Sequence, residues 1–274
     1  MNSADFKKLQ DFQLQIMDEL HRICVEQGIT YYIIGGTALG AIRHNGFIPW
    51  DVDIDIAMAR PDYERFAEVC KTELSDRFIY RCFKNTKNYP RPHAMVCIKN
   101  TLLYDKNEHL NKGWENYGIY IDIFPLDKAP EDPQEKEVHG AEIEKIKKIR
   151  YYKYARRFKK DFKNMVVKRL VSALMFWVNM DKLNVRFDKV SREYEDTDSA
   201  YWCSMASGYK YSKQYMPAAV YGKPQLVEFS GRKYYAPEML EDYLTRIYGD
   251  YMKLPPEEAR QQNMQLFETV VFDN

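Results

Sequence analysis

Residues 49–58 read PWDVDIDIAM, with carboxylates at Asp51, Asp53 and Asp55 and aliphatic Val52, Ile54 and Ile56 in the gaps. Strict alternation predicts a β-strand, because successive side chains of a strand point to opposite faces. One face then carries three acids and the other three β-branched hydrophobes. Carboxylates two residues apart stand about 7 Å from each other, and at an effective dielectric of about 20 each neighbouring pair repels by about 2 to 3 kcal/mol. Two such repulsions take a large share of a net stability of about 5 to 15 kcal/mol. In open water each falls below about 1 kcal/mol. The segment is therefore either a solvated edge strand or a strand whose acidic face meets a cation.

The chain has 274 residues, which suits one large α/β domain or a domain with an appendage. Its hydrophobic fraction of 45% and charged fraction of 30% describe a folded chain, not a disordered one. The net charge of +1 singles out no partner. Five scattered cysteines without a CxxC pair suit a reducing compartment better than a disulfide framework. Cys82, His93 and Cys97 match no standard zinc spacing and lack an evident fourth ligand. The amino terminus is charged and amphipathic, and no apolar run approaches the roughly 18 residues needed to span a bilayer. A cytoplasmic location is expected, with no secretion.

Ser3 caps a first helix with Phe6, Leu9, Ile16, Leu20 and Ile23 on one face and Gly28 at its end. A β-rich run over 30–34 leads into Gly35 and Gly36. Residues 37–44 read as a short helix closed by Asn45 and Gly46, and the acidic strand follows. Pro61 opens a helix to about residue 74. Strands are expected at 78–83, 94–99, 101–104 and 119–124, with a long polar loop between the last two. Residues 131–180 turn helical, a further helix covers 181–194, a hairpin over 225–235 turns at Ser230 and Gly231, and a last helix runs from Pro237 to near Gly249. Without regular βαβ alternation, this order predicts an α+β fold with a small mixed β-sheet.

The glycine pair at a strand-to-helix junction lets backbone N–H groups approach a phosphate, and the helix start adds its positive dipole end. Thr37 adds a hydroxyl, and Arg43 and His44 add cationic or polar groups on the way to the acids. Taken alone, the pair is simply a tight turn. Glycines, basic residues and alternating carboxylates within about two dozen residues suit phosphoryl chemistry, where a divalent cation bridges phosphate oxygens to protein carboxylates. Magnesium takes one or two carboxylates with substrate oxygens and water, which Asp53 and Asp55 can supply. Asp122, between Ile121 and Ile123 in YIDIFPLD, repeats the pattern and is a candidate third ligand from a neighbouring strand.

Three blocks, GGTALGAIRHNGFIPWDVDIDIAM (35–58), YIDIFPLD (120–127) and YGDYMKLPPEE (248–258), resemble the LicD family of phosphotransferases, related to fukutin and fukutin-related protein. The resemblance implies a nucleotidyltransferase-like core with its active site at the GG turn and the DxD strand. It implies metal-dependent transfer of a phospho-alcohol, such as phosphocholine or a polyol phosphate, from a CDP-linked donor to a glycan hydroxyl, with release of CMP. By motif position Gly35, Gly36 and Thr37 hold donor phosphates, Asp53 and Asp55 bind Mg2+ or Mn2+, Asp122 belongs to the later acidic strand, and Asp51 binds a second cation or takes the acceptor proton. Val52 departs from the family's usual WDDDxD. On a strand it faces away from Asp53 and Asp55, so its loss should spare the metal site. Asn263, Met264 and Gln265 stand where many members carry histidines.

Residues 145–169 set twelve Lys or Arg against one acid, Asp161, interleaved with tyrosine and phenylalanine, and the apolar stretch 166–178 follows. This run is either an internal helix with a solvated basic face or a peripheral contact with the inner membrane surface through residues 145–178, where a lipid-linked oligosaccharide acceptor would lie. No nucleic-acid module is evident, and no nucleic acid is expected. Residues 1–130 read as the catalytic core and 131–274 as a mostly helical acceptor-side region packed with it as one unit. Two other functions fit the same residues: transfer of a nucleotide from an NTP to a small acceptor, which leaves pyrophosphate, and non-catalytic nucleotide or glycan binding.

Overall fold

The structure is a computed structural model that describes residues 3–105, 118–154, 174–258, 260 and 267–273. Helix α1 (Ser3–Gln27) buries Leu9, Ile16, Leu20 and Ile23 along one stripe, and Gly28 ends it with a φ of +61°. The expected run at 30–34 contracts to β1 (Tyr32–Ile33). Helix α2 (Gly35–His44) takes both glycines into its first turn instead of starting after them, and Asn45 closes it in the left-handed region at φ +53°.

The acidic strand is shorter than its alternation predicts. The ladder of β2 (Asp55–Ala59) begins only at Asp55. Upstream, the alternation of burial persists, with Val52 and Ile54 in the core, but β1 reaches only Ile56 and Ala57 on one side. The carbonyls of Asp51 and Val52 instead accept from the side-chain amides of Gln10 and Gln13 of α1, at 3.2 and 2.8 Å. Buried backbone acceptors must be met somewhere, and here a helix replaces a strand.

After β2 come α3 (Arg60–Val69), β3 (Phe78–Arg81), β4 (Ala94–Ile98), β5 (Leu102–Asp105) and β6 (Tyr120–Lys128). Helix α3 stops five residues before the expected end, and the polar stretch between β5 and β6 lies mostly outside the described residues. The sheet order is β1-β2-β6-β4-β3, with β2 and β6 parallel and the other neighbours antiparallel. Strand β6 runs through Pro125 to Lys128, past its expected end, because a second partner, β7 (Tyr201–Cys203), takes over at Asp127 and Lys128. Proline in a strand pattern normally argues against continuation.

Next follow α4 (Pro133–Tyr154), α5 (Met180–Ser191), the short α6 (Tyr211–Gln214), β8 (Tyr215–Pro217), the hairpin β9 (Gln225–Phe229) and β10 (Arg232–Ala236), α7 (Leu240–Tyr248), and β11 (Phe267–Val271), which pairs with β5. The hairpin turns at Ser230 and Gly231 as expected, with φ of +51° and +76°. Beyond residue 130 helices form the larger part of the regular structure. Most of the basic run, residues 155–173, lies outside the described residues. The segment 263–265 does too.

One hydrophobic cluster reaches from Leu9 to Ile247. Within it Arg60, 5% exposed, donates Nε and Nη2 to the two oxygens of Asp127 at 2.6 and 2.9 Å, and Nη1 lies 3.2 Å from Asp188. This pair ties α3, β6 and α5 together. Breaking a buried ion pair strands one charge and costs about 3 to 5 kcal/mol, whereas an exposed pair contributes less than about 1 kcal/mol. Urea unfolding of Asp127→Ala should therefore show the larger loss, and Lys71→Ala, which removes the exposed partner of Glu68, almost none.

Candidate active site

The parallel register of β2 and β6 sets Asp55 directly opposite Asp122. The Asp122 N–H donates to Ile54 O at 3.0 Å, which fixes the two acids at the same level. Their neighbours Ile54, Ile56, Ile121 and Ile123 turn the other way and are buried. Asp53 and Asp51 continue the acidic row upstream, and both line the same cleft as Asp55.

The glycines of α2 lie against this row. A Cβ on Gly36 would stand 2.3 Å from Asp51 Oδ2, and one on Gly35, whose φ is +56°, would stand 3.2 Å from Asp55 Oδ2. Only a residue without a side chain lets helix and carboxylates approach so closely. The Gly35 N–H donates to the hydroxyl of Tyr243, 2.9 Å away, and Thr37 Oγ1 accepts the Asp55 N–H at 2.8 Å. Of the three residues expected at a donor phosphate, Gly36 lines the cleft, while Gly35 and Thr37 hold the site's framework.

The cleft has a volume of about 570 Å³. One side is Gly36, Leu39, Arg43, Trp50 and the acids; the other is Tyr209, Tyr248 and the segment from Asp250 to Pro256. The third sequence block thus closes over the first. Arg43 Nη1 holds it there by donating to Tyr251 O at 2.9 Å, and the guanidinium also lies 5.9 Å from the Trp50 ring. His44 does not line the cleft. It packs edge-on against Trp50, and burial, with Arg43 beside it, lowers its pKa.

Burial raises the pKa of Asp51, and it raises those of Asp53 and Asp55 far more, because each also feels other acids: Asp55 and Asp51 around Asp53, Asp122 and Asp51 around Asp55. Asp122 goes the opposite way. Burial pushes its pKa up, but Arg91 and His93 outweigh that and bring it below the ordinary carboxylate range. Arg91 Nη1 lies 3.2 Å from Asp122 Oδ2, and His93 Nε2 lies 3.1 Å from Oδ1. Arg91 also stacks 4.6 Å over the Tyr120 ring.

Among the described residues no set of three or more His, Cys, Asp or Glu side chains is arranged to hold a metal ion. Asp122, expected as a third ligand, is engaged by Arg91 and His93. The donor set that remains, Asp53 and Asp55, fits a magnesium-like ion, which takes one or two carboxylates and completes its shell from ligand oxygens and water. Burial first, then the neighbouring acids, raises both pKa values, and Arg91, which acts on Asp55, does not offset them; a bound cation would.

Sequence reasoning missed Arg91, Gln13, Tyr209 and Tyr243, and it weighed His93 only as a zinc ligand and Tyr248 only as part of the third block. The run YPRPH at 89–93, a cation and a histidine between prolines just before β4, was a usable signal for Arg91 and His93. Tyr209 and Tyr243 carried none, since nothing local separates them from the other aromatic residues of the chain.

Acids on adjacent parallel strands thus lie beneath a glycine-led helix. Residues 28–132 match the domain described as LicD/FKTN/FKRP, nucleotidyltransferase domain. The lipopolysaccharide cholinephosphotransferase LicD of Haemophilus influenzae is 30% identical over 260 residues, which cover 94% of this chain and 95% of that protein. An uncharacterized protein of Rickettsia prowazekii is 34% identical over 133 residues, 42% of this chain and 44% of its own. The chain belongs to the LicD family.

The repulsion has a measurable consequence. An acid whose folded pKa lies above its unfolded value of about 3.9 contributes nothing below that value, and it destabilises the fold progressively as pH rises toward the folded pKa. In buffer with a chelator, Asp53→Asn should be as stable as the native protein near pH 3.5 and more stable at pH 7, by up to about 2 kcal/mol. Thermal unfolding at the two pH values checks this, and a variant less stable than native at pH 7 would contradict it.

Proposed function

We propose that the chain transfers a phospho-alcohol, phosphocholine or a polyol phosphate, from a CDP-linked donor to a hydroxyl of a cell-surface glycan or its lipid-linked precursor, releasing CMP. The observation that carries this reading is the pair Asp53 and Asp55, both with strongly raised pKa values, in a cleft whose walls also carry four aromatic side chains, Arg43 and Lys253. The likeness along 94% of the chain to a protein named for cholinephosphate transfer supports it.

Each wall has a role in this reaction. Trp50, Tyr209, Tyr248 and Tyr251 offer ring faces to a nucleobase or to the quaternary ammonium of choline. Gly36 leaves room for a phosphate beside Asp51. Asp53 and Asp55 would hold Mg2+ or Mn2+, which when bound neutralises charge on the donor's phosphates. The acceptor oxygen bonds to the phosphorus that carries the alcohol, the bond from that phosphorus to CMP breaks, and the acceptor proton passes to Asp51, whose pKa burial has raised. Arg91 and His93 keep Asp122 ionised and in place behind Asp55.

A lipid-linked acceptor would bring the protein to the inner face of the membrane from the cytoplasm. Leu174 and Trp177, 75% and 87% exposed, flank the basic run and suit such contact. No helix among the described residues is long and apolar enough to cross a membrane.

Incubation with CDP-choline and CDP-linked polyols, magnesium and lipid-linked oligosaccharides, followed by identification of the released nucleotide, tests the reading. CMP is expected, and Asp55→Asn should reduce its release about 100-fold or more. Pyrophosphate from an NTP would replace this reading with nucleotide transfer. Tight donor binding without turnover would replace it with a binding protein.

A further inference from the structure

A second hollow of about 880 Å³ lies between the 90–93 segment, α4 and residues 206–208. It meets the candidate cleft at residues 208 and 209, and its 90–93 segment reaches Asp122, the strand neighbour of the cleft's Asp55. In the 90–93 segment Arg91 engages Asp122, while Pro90, Pro92 and His93 line the groove. In the 206–209 segment Ala206, Ser207 and Gly208 line the groove, while Tyr209 lines the cleft and its carbonyl accepts from Lys147 of the groove at 2.5 Å.

Charge and polarity say what the groove fits. Four cations line it, Lys145, Lys147, Lys148 and Arg150, against one acid, Glu144, which is itself bonded to Lys147 and to the Tyr211 N–H. Lys145 and Lys148 are exposed and stand one helical turn apart on the same face. Tyr151 and Tyr152 supply ring surface beside them, with Lys148 Nζ 5.9 Å from the Tyr152 ring centre. At the inner end His93 is 9% exposed, and its Nδ1 has no hydrogen-bond partner among the described residues. A buried polar atom without a partner at the wall of a cavity is matched when a ligand brings a hydroxyl to it.

Position adds the third argument. Helix α2 packs on β2, which carries Asp55; next in the sheet is β6 with Asp122, then β4, which His93 immediately precedes. The donor cleft lies on the α2 side and the groove on the β4 side. In an in-line displacement at phosphorus the attacking oxygen enters opposite the leaving group. We propose that the groove is the acceptor subsite and takes an anionic sugar, one bearing a phosphate or a carboxylate, with Lys145 and Lys148 on its charge, the tyrosines on its ring and His93 Nδ1 on a hydroxyl. This rests on the phospho-alcohol transfer reading for the word acceptor, and on the groove alone for the ligand class.

The test uses the full chain and the double variant Lys145→Glu/Lys148→Glu, both exposed positions whose change leaves the core intact. Saturation-transfer NMR with mannose 6-phosphate, glucuronate, neutral glucose and inorganic phosphate reads binding directly, and CMP release from CDP-choline with a phosphorylated or a neutral oligosaccharide reads turnover. One or both anionic sugars should bind the native protein better than glucose, and which one does identifies the charge. The variant should weaken that binding about tenfold or more, raise the KM for the charged oligosaccharide similarly, and leave the KM for CDP-choline within twofold. Equal binding of glucose and the charged sugars, of inorganic phosphate and mannose 6-phosphate, or of native and variant protein would overturn the proposal. So would a response confined to phosphatidylglycerol vesicles. If the native protein binds the anionic sugars through the lysines but releases CMP from no CDP-linked donor, the functional reading fails and the ligand class of the groove stands.

Discussion

The structure depends on how like charges are held close together. Parallel pairing in register forces Asp55 and Asp122 side by side, and the chain compensates the two differently. Asp122 receives Arg91 and His93, while Asp53 and Asp55 face the cleft with pKa values that burial and neighbouring acids hold high despite Arg91's pull on Asp55. The arrangement persists because the opposite face of the same segments, Val52, Ile54, Ile56, Ile121 and Ile123, is sealed in the core under α1. Burial of those side chains, at about 1.5 to 3 kcal/mol each, outweighs the electrostatic cost that the other face imposes. Local rules broken at one place and compensated elsewhere are the mark of a functional site.

Much of this was legible in the sequence because it is written locally. Alternation told which residues of 51–56 face the core even though the ladder itself starts at Asp55. The glycine pair, the Ser230-Gly231 turn and the extent of α1 were equally local. What escaped were partners joined by the fold alone. Tyr243 meets Gly35 across 208 residues, Arg91 meets Asp122 across 31, and Gln13 replaces a strand partner for Val52 from a helix 39 residues away. Strands β7 and β8, three residues each, are too short to show a period. The pairing of β7 with β6, and of β8 with β7, depends on tertiary position, which no window of sequence contains.

The candidate cleft is built from both ends of the chain. Its acids and glycines precede residue 60, and its opposite wall follows residue 208. Arg43 bonded to the carbonyl of Tyr251, and Tyr243 bonded to Gly35, are the joints between these parts. The buried Arg60 cluster performs the same service behind the site, where one guanidinium holds acids from β6 and α5. Excision of either part would expose the acids without the wall that makes them a cleft.

The 2.3 Å that separates a hypothetical Gly36 Cβ from Asp51 Oδ2 also bears on descent. The constraint runs one way. A side chain at 36 requires the carboxylate at 51 to retreat, whereas a shorter side chain at 51 meets no obstacle from glycine. Of the two positions, the one without a side chain is therefore the less free to vary, because its emptiness is the space that the acid occupies.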